Sequence, residues 1–218
     1  MKNLKAEAEK EAQIILNYFR SGDYVSAEIK AKKIIKKFPD YLAMYNLLGL
    51  CLQSQKKFSE AINYYNVAIR MNPNFFVALN NLGNIYHTIG DLENAQQYFE
   101  RALKINPKFT HSICNLGNIK KELNNFEEAI KYYKLALSID DNLAIVHNNL
   151  GMAFQSIGKF EESKKHFEFA LKINPMFTRA DRSLSMSLKY EDNDHYHLKS
   201  MEKKFKDDSL NNYQKIEL

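Results

Sequence analysis

Residues 76–109 read FVALNNLGNIYHTIGDLENAQQYFERALKINPKF, and the rare residues inside this stretch return at one fixed interval along the chain. Gly83 stands in a series with Gly49, Gly117 and Gly151, each 34 positions from the next. Pro107 follows Pro39 and Pro73 at the same interval, and Pro175 lies two intervals on, with Asp141 in the skipped slot. Gly22, Gly90 and Gly158 make a second phase, with Lys56 and Asn124 at the positions between them. The 7 glycines and 4 prolines of this 218-residue chain therefore all keep one period. A fixed period of this size is the mark of a stacked repeat architecture.

Each period divides into two amphipathic helices. In the quoted stretch Leu79, Leu82, Ile85 and Tyr86 recur at helical spacing, and Ala95, Phe99, Ala102 and Leu103 do so again after Gly90. A glycine inside a helix costs about 1 kcal/mol relative to alanine, so its return in four units predicts a close approach of the two helices. The small residues Ala61, Ala95, Ala129 and Ser163 on the second helix are expected to share that contact. Proline lacks an N–H and restricts the residue before it, here Asn72, Asn106 or Asn174, so it ends the second helix. So few turn formers exclude an all-β sandwich or barrel, and the expected fold is all-α.

With 45% hydrophobic and 26% charged residues, the chain has the composition of a folded globular protein and not of a disordered one. The first apolar run, Ile14-Ile15-Leu16, is too short for a signal-peptide core. No stretch approaches the 18 to 20 apolar residues of a membrane span. A cytoplasmic location without a membrane partner is the expectation. Cys51 and Cys114 lie 63 positions apart with no ligand spacing around them, so reduced thiols are expected.

A 34-residue helical hairpin carrying L-G, then A, then an aromatic, then A, then P resembles the tetratricopeptide repeat. Leu82-Gly83, Tyr86, Ala95, Phe99, Ala102 and Pro107 carry the pattern in full, and Leu150-Gly151, Phe154, Phe167, Ala170 and Pro175 nearly so. The family's tryptophan is replaced by Tyr45, Leu79, Ile113 and His147, and one aromatic by Lys120. The resemblance implies a right-handed α-solenoid. Residues 1–41 form a divergent N-terminal repeat or cap with Ile14-Ile15 in place of L-G, followed by four repeats at 42–75, 76–109, 110–143 and 144–177. A capping helix is expected at 178–190, with Leu184 and Leu188 inward and Arg179, Asp181, Arg182 and Lys189 outward, because the end of a stacked array needs a polar cover.

In the tail, 191–218, Asp194 is a candidate N-cap for a short helix with Leu198, Met201 and Phe205 on one side; residues 209–218 have no evident partner and are expected to fray. The run Arg182-Ser183-Leu184, Leu188-Lys189-Tyr190, Asp194-His195, Met201, Asp207-Asp208, Leu210 and Lys215-Ile216-Glu217-Leu218 resembles the connector of bacterial tetratricopeptide-containing sulfotransferases. That likeness implies an alternative, a substrate-recruiting segment of a transferase whose catalytic domain would follow.

The family resemblance also implies that the first helices line a concave groove that holds an extended peptide. Candidate groove residues are Asn46, Asn80, Asn81, Asn84, Asn115, Asn118, Asn148 and Asn149, with His87, His111, Lys121, Gln155 and Ser156 nearby. A primary amide offers both donor and acceptor, so it can pair with a peptide backbone whatever the peptide's sequence. Asn81, Asn115 and Asn149 keep the 34-residue interval and resemble the asparagine ladder of the repeats in O-linked N-acetylglucosamine transferases, although Leu47 interrupts the series. Asparagine is also abundant throughout the chain and needs no ligand on a helical surface. A clamp for a C-terminal carboxylate would need Lys and Arg where Asn80, Asn84, Asn115, Ile145 and Asn149 stand, and is not expected.

No cofactor, metal or catalytic site is expected. His195-Tyr196-His197 beside Asp192 and Asp194 reads as loop and cap residues, and His111 with Cys114 supplies too few ligands for a structural zinc site. The net charge of +5 is concentrated before residue 76, around Lys30, Lys32, Lys33, Lys36 and Lys37. That pattern reads as a solvated convex face, not a nucleic-acid track. A protein or peptide is the expected partner.

Overall fold

The computed structural model describes residues 2–188 and 195–217, and every regular element in them is a helix. Five hairpins follow in order: α1 (Lys2–Arg20) with α2 (Tyr24–Lys37), α3 (Leu42–Ser54) with α4 (Phe58–Met71), α5 (Phe76–Thr88) with α6 (Leu92–Ile105), α7 (Thr110–Glu122) with α8 (Phe126–Ile139), and α9 (Ala144–Ser156) with α10 (Phe160–Ile173). Then come α11 (Thr178–Ser185), α12 (Tyr196–Phe205) and α13 (Asn212–Glu217). From α3 to α11 the first helices start at the repeat boundaries read from the sequence. α1 departs from this by beginning at Lys2, ahead of Ala8, which lies one 34-residue interval before Leu42.

The second glycine phase sets the turn inside each hairpin. Gly22, Lys56, Gly90, Asn124 and Gly158 all have positive φ, between 56° and 85°, a region that glycine enters without steric cost and asparagine tolerates. The next residue's N–H returns to the first helix, as in Lys57 N to Leu52 O at 2.9 Å and Asp91 N to Tyr86 O at 2.9 Å. This closes orphan carbonyls in a Schellman arrangement. Asp23, Asp91 and Asn125 then cap the second helix by accepting from the N–H groups of Ser26, Asn94 and Glu128.

Where one hairpin passes to the next, the residue before the proline has a second use. The side chains of Asn72, Asn106 and Asn174 accept from the backbone N–H two residues on, at 3.0, 3.2 and 3.0 Å. Asp140 makes the same bond to Asn142 N at 2.9 Å without a proline after it. Side-chain turns of this kind compete with helix continuation, so the asparagine and the proline stop the second helix together.

The first glycine phase makes the close contact expected of it, but against a different partner. A Cβ on Gly49, Gly83, Gly117 or Gly151 would stand 2.5–2.6 Å from the ring of Tyr65, Phe99, Tyr133 or Phe167, respectively. The alanines and Ser163 are buried too, but the space the glycine vacates is filled by an aromatic ring one turn further along the second helix. The first hairpin reverses the sizes: Ile15 stands at the glycine position and Ala31 at the aromatic one, and both are fully buried.

Two compact units are formed, Met1–Ser112 and Ile113–Leu218. In the first, α1 to α4 share one apolar core that includes Ile15, Ala31, Met44, Leu48, Leu52 and Tyr65. In the second, α10 packs on α9, α11 on α10, and α13 on α11. The tail differs from the sequence expectation in three ways. Asp181 does not face outward but is fully buried, with the Lys204 ammonium 2.7 and 2.6 Å from its carboxylate oxygens and His197 Nε2 at 3.2 Å. A buried carboxylate needs such pairing, so the docking side of α12 is His197, Met201 and Lys204, and Phe205 is exposed. Finally, the segment 209–217 does find partners: Leu210 is buried and the Glu217 carboxylate accepts from Thr178 Oγ1 at 2.6 Å, with Arg179 Nε at 3.5 Å. The expected cap at Asp194 lies outside the described residues. The N-cap of α12 is His195, whose Nδ1 accepts from His197 N.

Candidate peptide-binding face

In the first unit the candidate amides lie on α3 and α5. Asn81 donates from Nδ2 to Asn46 Oδ1 at 3.0 Å, joining the two helices, and Ser112 Oγ donates to Asn80 Oδ1 at 3.0 Å. Asn80 and Asn81 are 4% and 8% exposed. Asn46 and Asn84 are half-buried. An amide that reaches across to a neighbouring helix satisfies part of its own bonding capacity within the fold, because burial of an unpaired polar group is costly.

The second unit repeats the device on α7 and α9. Asn149 Nδ2 donates to Asn118 Oδ1 at 3.0 Å, and the same oxygen accepts from the Tyr133 hydroxyl at 2.8 Å. Asn115, Asn118 and Asn149 are half-buried. Asn148 is fully buried: its Nδ2 faces Met152 Sδ at 3.5 Å, and its Oδ1 has no hydrogen-bond partner. Of the eight candidates, Asn80, Asn81 and Asn148 are buried, the first two bonded to a neighbouring helix, and the other five are half-buried.

The amides of Asn46 and Asn118 are oriented by these pairs. Their oxygens are engaged, while their N–H groups make no hydrogen bond among the described residues. Near them in the second unit Gln155 Nε2 donates to Ser187 Oγ at 3.4 Å, and Ser156 Oγ returns to Met152 O. Burial holds the half-buried Lys121 ammonium below the usual lysine range, and the Arg179 charge adds to this. His111 is exposed in the first unit and stacks on Phe109 at 5.1 Å.

Other polar clusters escaped the sequence reading. Glu28 is 7% exposed; burial alone would raise its carboxyl, but Lys32, Lys57 and Gln55 at 2.5, 2.8 and 2.8 Å outweigh that and hold it at about 2. In the second unit His147 Nδ1 and His166 Nδ1 are 3.0 Å apart, and Phe154 and Phe169 stack on the pair. Burial pushes the Cys51 and Cys114 thiols up to about 12 and 11, far from thiolate chemistry at neutral pH. Among the described residues no three His, Cys, Asp or Glu side chains gather as metal ligands. No helix there is long and apolar enough to cross a membrane.

Apart from the Lys32–Glu28 pair within α2, these contacts were hidden because they join residues on facing helices. The available signal was departure from the repeat itself: His147 and His166 stand where the three preceding hairpins carry Tyr45, Leu79 and Ile113, and Tyr64, Tyr98 and Tyr132.

No curated protein matches the chain. Among solved structures, pilF of Pseudomonas aeruginosa superimposes with a TM-score of 0.76 at 15% identity over 92% of this chain and 99% of that one. A thermophilic TPR protein of Thermus thermophilus gives 0.69 at 16% identity, over 83% and 98%. YrrB, described as a TPR protein with an unusual peptide-binding site, gives 0.59 at 19% identity, over 85% and 95%. At these identities the likeness is one of fold. Residues 76–109 and 144–177 match the family described as tetratricopeptide repeat, and residues 49–90 and 117–158 match its TPR repeat description. With more than half of its residues so matched and four of its hairpins built alike around a glycine and an aromatic ring, the chain belongs to the tetratricopeptide repeat family.

Proposed function

We propose that the chain is a protein-interaction module that holds an extended peptide by the amide side chains of its first helices. The observation that carries this is the pair of oriented, uncommitted N–H groups on Asn46 and Asn118, each fixed by a neighbouring asparagine, Asn81 or Asn149. A donor held in place by its own acceptor bond loses little freedom when it meets a peptide carbonyl, and such preorganisation favours binding. Asn115 and Asn149 continue the ladder at the 34-residue interval, and Asn81, buried in the same series, acts through its hold on Asn46. The fold likeness to YrrB, described as having an unusual peptide-binding site, is consistent with this use. With a peptide selected from a random library, Asn46→Ala or Asn118→Ala should each weaken binding about two- to tenfold, the equivalent of roughly 0.5–1.5 kcal/mol. A folded triple variant, Asn81→Ala with Asn115→Ala and Asn149→Ala, that binds as tightly as the parent would refute the ladder. The tail motif from Arg182 onward supports a second reading, recruitment of substrate to a transferase. Its test is an in-frame phosphosulfate-binding loop in the coding DNA after Leu218.

A further inference from the structure

We propose that the outward face of α2 is a second docking surface, shaped for an acidic, partly apolar helical segment of another protein and separate from the amide face. The inference comes from comparing equivalent positions in the five hairpins. At the position of Val25 the other second helices carry Ser59, Glu93, Glu127 and Glu161; at that of Ile29 they carry Asn63, Gln97, Lys131 and Lys165. These are polar because this side points away from the core, which α2 reaches through Ala27, Ala31 and Ile34. Only in the first hairpin are these two positions apolar, and the two side chains stay open there, with Val25 57% and Ile29 65% exposed. Two branched apolar residues one turn apart form a single step on the helix surface.

The cations along the same helix identify the occupant. Lys30 is paired with Glu11 at 2.7 Å, Lys32 with Glu28 at 2.5 Å, and Lys37 with Glu7 at 2.5 Å. Lys33 and Lys36, which continue the stripe of Val25 and Ile29, are exposed and make no ion pair among the described residues. The stripe therefore presents an apolar step in its first half and two uncompensated ammonium groups in its second. It spans about 16 Å at the helical rise of 1.5 Å per residue, one helix wide. A partner helix with an apolar pair at one end and carboxylates at the other complements both halves at once. An anionic lipid surface would call for cations spread around the apolar residues, and a nucleic-acid backbone would leave Val25 and Ile29 unused.

The test uses the full chain and a synthetic, alanine-based helical peptide of about 18 residues, long enough to be partly helical in water, with two leucines one turn apart followed by glutamates. A second peptide carries lysine for glutamate, and vesicles of phosphatidylcholine with and without phosphatidylserine serve as the lipid probe. Amide shifts confined to residues 24–37 are expected with the acidic peptide, with affinity falling as salt screens the contact. Lys33→Glu with Lys36→Glu should raise Kd at least about tenfold. Val25→Ser with Ile29→Asn, which installs the residues of the second hairpin and so keeps the fold, should do the same. Equal binding of the lysine peptide overturns the proposal, as does an absence of shifts in α2 at millimolar peptide. Vesicle binding that both double variants abolish, without any response to the peptide, assigns the surface to lipid and overturns it too.

Discussion

The Phe99 ring occupies the place where a side chain on Gly83 would begin: a Cβ built there would meet Cε1 at 2.6 Å and Cδ1 at 2.8 Å. Real Cβ atoms do not approach aromatic carbons so closely, so ring or helix must move. Phe99 is fully buried and cannot swing aside. Gly83→Ala should therefore destabilise by roughly 1–3 kcal/mol, the range for overpacked cores, in spite of alanine's better helix propensity. The urea midpoint reads the result, and a midpoint unchanged or raised would show that the contact has slack.

Ile15 and Ala31 occupy the positions of Gly83 and Phe99 with the sizes exchanged, and both are fully buried in one core. Ile15→Gly alone should leave a void and Ala31→Phe alone should overpack. Combined, they rebuild the arrangement of the other hairpins. A double-mutant cycle should give a favourable coupling of about 1–3 kcal/mol, as neighbours in contact do; additive losses would separate the two sites.

The difference between these two contacts shows what the sequence could and could not convey. The period, the helix pairs and their starts followed from glycine and proline, because backbone demands admit few residues and so leave a visible mark. The partner of each glycine did not follow, since alanine and the aromatic both lie on the inner side of the second helix and only geometry tells which fills the gap. Of the candidate site, the asparagine series was visible, but not the pairing of Asn81 with Asn46 or of Asn149 with Asn118. That pairing depends on which helices face each other. Asp181 misled for the opposite reason: a charged residue near the chain end reads as solvent-exposed until Lys204, 23 positions on, neutralises it.

Asn148 leaves its Oδ1 buried and without a partner, whereas Asn80, one pair of repeats earlier, receives the Ser112 hydroxyl at 3.0 Å. The residue that stands to Asn148 as Ser112 stands to Asn80 is Ala180, fully buried in α11. Ala180→Ser should supply the missing donor and stabilise by about 0.5–1.5 kcal/mol, a typical net hydrogen bond. Made in an Asn148→Ala background, the same serine should cost stability, because its hydroxyl is then buried alone. A loss in both backgrounds would show that the helices are not in the register the repeat implies.

His147 and His166 link the stability of the second unit to pH. The Asp141 carbonyl oxygen 3.1 Å from His147 Nε2 can only accept, so Nε2 carries the hydrogen and Nδ1 is left to accept from His166 Nδ1 at 3.0 Å. A proton added to His147 would set two N–H groups against each other. Burial disfavours charge on both rings, and the neighbouring imidazole and the Lys134 ammonium, which lies 5.5 Å over Phe154, add to this at His166, held at about 4 against an ordinary 6.5. The Asp141 backbone and charge act the other way on His147 without reversing the direction. With a folded value below the unfolded one, the pair's contribution is fully present above pH 6.5 and is lost as pH falls toward about 4. The depressed carboxylates enter around and below their ordinary values, 4.5 for Glu28, which is held at about 2, and 3.8 for Asp23, Asp91 and Asp207, so the interval from pH 6.5 to 5 chiefly reads the histidines. His166→Tyr installs the residue that Tyr64, Tyr98 and Tyr132 provide at the same position, and it should flatten the fall of Tm across that interval while leaving stability at pH 8 nearly unchanged. A slope as steep as the parent's would place the acid sensitivity elsewhere in the unit.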